Sequence, residues 1–126
     1  MRLTLCGSTR FRKEFDLWNA NLTLMGHVVY SLGMFGKEAS DQGKPNENIE
    51  VTEDEKRHLD MVHFAKIDNS DGVVVLNVHG YVGESTKREV RWARMKGKQV
   101  FWLESPNSIR FGDGNIHQLN CRHDIV

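Results

Sequence analysis

The chain has 126 residues, 39% of them hydrophobic and 27% charged, with 17 basic residues balanced by 17 acidic ones. That size fits one domain spanning residues 1–126, and the composition suits a folded globular chain rather than a disordered one. Zero net charge argues against a nucleic-acid polymer or an anionic membrane as partner, while a small anionic ligand needs only a local site.

Leu3–Cys6 reads as a first strand ended by Gly7-Ser8. Phe11, Phe15, Trp18, Leu22 and Met25 come next at three- and four-residue steps, one apolar helical face, with Gly26 placed as its C-cap. Val28–Ser31 is the second strand. Residues 32–50 form a long polar loop punctuated by Gly33, Gly36, Gly43 and Pro45. Thr52 and Glu55 make a capping box that opens a second helix. Leu59, Val62, Ala65 and Ile67 are its expected apolar stripe, with His63 on or beside it, and Asn69-Ser70-Asp71 ends it.

Val73–Asn77 is a buried strand leading into a loop with Gly80 and Gly83. Ser85 and Thr86 open a third helix, Glu89 is expected in its first turn, and Gly97 closes it. Val100–Leu103 is the next strand. Pro106, Gly112 and Gly114 break up the stretch after Glu104, and Ile116–Val126 reads as a last short strand or helix. Alternating strands and helices imply an α/β, doubly wound, flavodoxin- or Rossmann-like sheet of four to five mainly parallel strands with helices on both faces. No segment is long and apolar enough for a signal peptide or membrane span, so the cytoplasm is the expected location.

In such sheets ligands bind where loops leave the carboxyl ends of strands. Gly7, Ser8, Thr9 and Arg10 occupy one such loop, with amides and hydroxyls suited to an anion and a planar cation; an ordinary capped turn is the equal alternative. Asn77, Tyr81, Gly83 and Ser85 occupy the other, and Tyr81 can stack on a planar ring. Glu89 brings a carboxylate to the same edge, although Thr86-Lys87-Arg88-Glu89 also fits a second capping box. His63 is either a boundary residue or a proton donor. Cys6 reads as a buried thiol, and it forms no zinc or redox motif with Cys121. His58, His79, His117 and His123 show no ligand spacing, so neither a metal nor another cofactor is expected.

Cys6-Gly7-Ser8-Thr9-Arg10, Asp71-Gly72-Val73-Val74-Val75, the Gly83–Glu89 stretch, Ala93 and Gly97-Lys98 together resemble the nucleoside 2-deoxyribosyltransferase superfamily, including its 2′-deoxynucleoside 5′-monophosphate N-glycosidases, over roughly Leu3 to Leu103. The resemblance implies cleavage of an N-glycosidic bond by hydrolysis or base transfer. It puts Glu89 in the place of the nucleophile and Gly7, Ser8, Arg10, Gly83 and Ser85 around the sugar and 5′-phosphate. It further implies a small nucleoside or nucleotide as partner and a homodimer or larger homo-oligomer. His63 stands where relatives carry a second acidic residue, a departure that leaves substrate and proton transfer open. The Thr86–Glu89 segment is also similar to the loop of cytokinin-activating phosphoribohydrolases, without their preceding paired glycines. A non-catalytic nucleotide sensor using the same loops is the competing reading.

Overall fold

Alternate residues of the first strand belong to different cores. In β1 (Arg2–Cys6), Leu3 and Leu5 face one side of the sheet and Thr4 and Cys6 the other, as the two-residue period of a strand requires. The same split runs through β3 (Gly72–Val75) and β4 (Gln99–Trp102), where Val74 and Phe101 join the first side and Val73, Val75, Val100 and Trp102 the second. Strands buried on both faces read as continuous apolar runs, which is why these segments lack polar alternation.

The computed structural model describes residues 1–33, 51–104 and 114–116. Within them the sheet is five-stranded and wholly parallel, in the order β2-β1-β3-β4-β5, with β2 at Val28–Tyr30 and a two-residue β5 at Gly114–Asn115. This is the doubly wound arrangement that the alternation of elements predicts. The Ile116–Val126 segment lies almost wholly outside the described residues, apart from the buried Ile116, as does the loop after Gly33.

Helix α1 (Arg12–Leu24) lays Phe15 and Leu22, both fully buried, against Leu3, Leu5, Val74 and Leu76. Burial of one such side chain contributes about 1.5–3 kcal/mol before entropy is counted. Helix α2 (Glu53–Asp68) and helix α3 (Glu84–Met95) cover the opposite face. The capping box predicted for α2 is present: Thr52 Oγ1 accepts from the Glu55 amide at 3.1 Å, and Glu55 Oε1 accepts from the Thr52 amide at 2.9 Å. Gly97, at φ 73°, lies just past the end of α3 in the left-handed region that favours glycine. Among the described residues no helix is long and apolar enough to cross a membrane.

One sequence expectation is corrected in part. The buried face of α2 is His63 and Ile67, whereas Leu59 and Val62 are 38% and 51% exposed and Ala65 is exposed too. The helix leans on α3 and on the end of β1, with Phe64 against Trp92 at a ring separation of 5.1 Å, so of the expected stripe Ile67, with His63 beside it, faces the core while Leu59, Val62 and Ala65 do not. The first helix begins where expected: Thr9–Phe11 is a single 3₁₀ turn capped by Ser8 that leads into the α-helix at Arg12.

Candidate active site

The loops that leave the carboxyl ends of β1, β2 and β3 enclose, with α2 and α3, a cavity of about 500 Å³. Small-molecule sites run from roughly 300 to 1,000 Å³. Gly7, Ser8 and Thr9 supply one wall, Leu32 and Gly33 another, and Tyr81 and Gly83 a third. His58, Leu59, Asp60, Val62, His63 and Lys66 enter from α2, and Glu84, Ser85, Thr86 and Glu89 from α3. The exposed Leu59 and Val62 thus line this cavity instead of the core.

The start of α3 is displaced from the expected one, and the displacement decides how Glu89 is used. Gly83 is the N-cap and makes no side-chain cap bond; Thr86 is already inside the helix and buried. Glu89 therefore lies in the second turn, too far along to close a capping box with Thr86. The first helical hydrogen bond runs from the Lys87 amide to the Gly83 carbonyl at 2.9 Å, which leaves the amides of Glu84, Ser85 and Thr86 without a helical acceptor, at the positive end of the helix and beside the cavity.

Freed from capping, the Glu89 carboxylate turns to α2. Its Oε1 lies 3.5 Å from His63 Nε2, with the two side chains only 15% and 7% exposed. Cys6 Sγ lies 3.6 Å from the same nitrogen. Burial first, and then the neighbouring negative charge of Glu89 and a hydrogen bond to it, push the Cys6 thiol well above its ordinary pKa. His63 Nδ1 is buried with no hydrogen-bond partner among the described residues.

Arg10 and Asn77 stand apart from this group. Arg10 is exposed and does not line the cavity. Its guanidinium stacks on the Tyr81 ring, 4.4 Å from the centroid, at the cavity's edge. Asn77 is buried, and its amide is already used: Nδ2 donates to the Glu104 carbonyl at 2.7 Å and Oδ1 accepts from the Glu104 amide at 2.9 Å. It ties the end of β3 to the end of β4 and does not line the cavity.

Sequence reasoning did not join Cys6 to the site, although the strand period puts it on the α2/α3 face. It also passed over Lys66, whose ammonium donates to the Ser31 carbonyl at 2.7 Å across the cavity wall, and Thr86.

No protein-family model and no curated protein matches this chain. Among solved structures it is similar to the CMP N-glycosidase BcmB of Clostridium botulinum, with 20% sequence identity, 91% of this chain and 84% of that chain covered, and a TM-score of 0.50. The chain shares its fold with an N-glycosidase. At that identity the likeness concerns architecture: a parallel α/β sheet of the same kind, covered over most of both chains.

Proposed function

We propose that the protein breaks the N-glycosidic bond of a nucleoside or nucleoside 5′-monophosphate, with Glu89 as nucleophile. The observation that carries this reading is a nearly buried carboxylate, not engaged in capping, that faces a nucleotide-sized cavity at the carboxyl edge of the sheet. The fold shared with an N-glycosidase supports it, as does the resemblance of the Gly7–Arg10 and Gly83–Glu89 segments to the deoxyribosyltransferase superfamily.

In this mechanism a Glu89 oxygen bonds to the anomeric carbon as the bond from that carbon to the base nitrogen breaks. The electron pair leaves with the base, which takes up a proton from solvent water. The glycosyl ester is then attacked at the same carbon by water, or by a second base in the transfer version; the attacking group gives up its proton to solvent, and Glu89 is released as carboxylate. In this reading Ser8, Ser85 and the amides at the start of α3 hold sugar hydroxyls or a 5′-phosphate, with Thr9 beside them and Arg10 entering from its stack on Tyr81. Retaining glycosidases keep their two catalytic groups about 5–5.5 Å apart, on opposite faces of the sugar. His63 lies closer to Glu89 than that, which supports a positioning role: Nε2 fixes the carboxylate instead of protonating the departing base.

The deciding experiment incubates the protein with a panel of nucleosides and nucleoside monophosphates and looks for free base by chromatography. Base release from at least one member is expected. Binding of an intact nucleotide without release from any of them would overturn the catalytic reading in favour of a sensor.

A further inference from the structure

Cys6, His63 and Glu89 come from the end of β1, from α2 and from α3, and their ligand atoms all lie within 4.8 Å of one another. We propose that these three residues form a binding site for a zinc-type divalent cation at the floor of the cavity. The proposal stands on Cys6, which has no part in the glycosidic reading.

Thiolate, imidazole and carboxylate are the donors of open zinc sites, in which three protein ligands leave a fourth position for water or a substrate atom. Bond lengths of about 2.0 Å to nitrogen and oxygen and about 2.3 Å to sulfur put tetrahedral neighbours roughly 3.3 Å (N···O) and 3.6 Å (S···N) apart. The observed separations are 3.5 Å from His63 Nε2 to Glu89 Oε1 and 3.6 Å from Cys6 Sγ to His63 Nε2. The Cys6 and Glu89 ligand atoms lie within 4.8 Å of each other, and rotation of the Glu89 side chain, which lines the cavity, can adjust that edge. Ligation through Nε2 puts the ring proton on Nδ1, which is buried with no hydrogen-bond partner among the described residues, so the ion has to displace the tautomer in which Nε2–H faces Glu89. A doubly charged cation also balances a thiolate and a carboxylate, so the buried cluster becomes neutral when filled. The ligands are carried by a strand paired on both sides and by two helices, the rigid elements on which precise sites are built.

His63 and Glu89 line the cavity while Cys6 lies beneath it, so the ion's fourth position opens toward the space a nucleotide would fill. Ion and glycosyl carbon then compete for the same Glu89 oxygen, and occupancy by one excludes the other.

The test uses the full chain, stripped of metal with a chelator, desalted and titrated with cobalt(II) as a spectroscopic substitute for zinc. A single bound cobalt with intense tetrahedral visible bands and a thiolate-to-cobalt charge-transfer band is expected, both displaced by zinc. Cys121→Ser should keep the charge-transfer band and Cys6→Ser should abolish it. Glu89→Gln and His63→Gln, checked for folding by circular dichroism, should each weaken cobalt binding by at least ~10-fold, the loss typical even of outer-sphere partners. An octahedral spectrum without charge transfer, or a charge-transfer band that survives in Cys6→Ser, overturns the proposal. Should Cys6→Ser not fold, unchanged cobalt affinity in the other two variants does so. The readout is spectral, so its failure leaves base release untouched, and absence of base release leaves the metal site untouched.

Discussion

Glu89→Gln removes one negative oxygen and keeps the length, shape and a carbonyl oxygen of the side chain. The fold depends little on that charge. Glu89 caps nothing; its neighbours are His63, at 3.5 Å, and the Cys6 thiol, and a Gln carbonyl oxygen can still accept from one of them. Loss of one hydrogen bond of ordinary strength costs about 0.5–1.5 kcal/mol, which moves the melting temperature of a domain this size by a few degrees. Chemistry depends on the charge far more, because an amide cannot form the glycosyl ester. A loss of at least ~10³-fold in turnover is expected, about 4 kcal/mol of transition-state stabilisation at 1.36 kcal/mol per decade. Glu89→Asp keeps the charge but draws it back by one methylene, and a misplacement near 1 Å costs about 10²-fold. The assay is base release under single turnover with protein in excess, with a melting curve and nucleotide binding by calorimetry on each variant. A Gln variant that stays folded, binds nucleotide and turns over within about tenfold of wild type, a difference of only 1.4 kcal/mol, would refute the nucleophile assignment.

His63→Ala should lower kcat by about tenfold or more with little change in KM, and His63→Gln, which keeps a donor, should recover part of the loss; a shift confined to KM would remove the positioning role. Arg10→Ala should weaken monophosphates by about 1.5–3 kcal/mol and nucleosides much less, as measured by calorimetry, and equal weakening of both would show that Arg10 only supports Tyr81. Asn77→Ala should cost about 1–3 kcal/mol in denaturant unfolding by leaving the Glu104 backbone groups unpaired, with turnover of the folded variant unchanged. Asp71 is held below its usual range mainly by the Arg2 amide, which donates to it at 2.7 Å, with the Arg2 guanidinium assisting. Its folded pKa is lower than its unfolded one, so the stabilisation is complete above roughly pH 5 and is lost as the pH falls through the folded pKa. Wild type should therefore exceed Asp71→Asn in melting temperature at neutral pH and converge with it on acidification; a constant gap would contradict the assignment.

Segments whose structure is decided locally were legible in the sequence. Thr52 and Glu55 encode a helix start within three residues, and the apolar runs of β1, β3 and β4 announce strands buried on both faces. The start of α3 was not, because Thr86–Glu89 satisfies the capping pattern equally well in isolation. Only the path of the chain through Tyr81 and Gly83 selects the earlier start. The inward face of α2 was hidden for a related reason: Leu59 and Val62 serve a cavity wall, and hydrophobicity does not distinguish a wall from a core. Asn77 lies at a strand end, as a ligand-binding amide would, but Glu104 at the next strand end had already claimed it. The grouping of Cys6, His63 and Glu89 exists only once β1 lies beside β3 and two helices cross the same face.

Gly7 closes β1 where the chain has almost no clearance. A Cβ at this position would meet the Leu76 carbonyl oxygen at 3.3 Å and a Phe15 ring carbon at 3.4 Å. The adjoining residues are Cys6 on the buried floor and Ser8 on the cavity wall. One added methyl would thus act as a wedge between the first and third strands, tilting thiol and hydroxyl together while prising at a ring on the far side of the sheet. Packing under α1 and the shape of a cavity that α1 does not line are geared to each other through a single hydrogen atom's worth of space. Substitutions around Phe15, remote from any ligand, should for that reason be felt as altered ligand fit as well as altered stability.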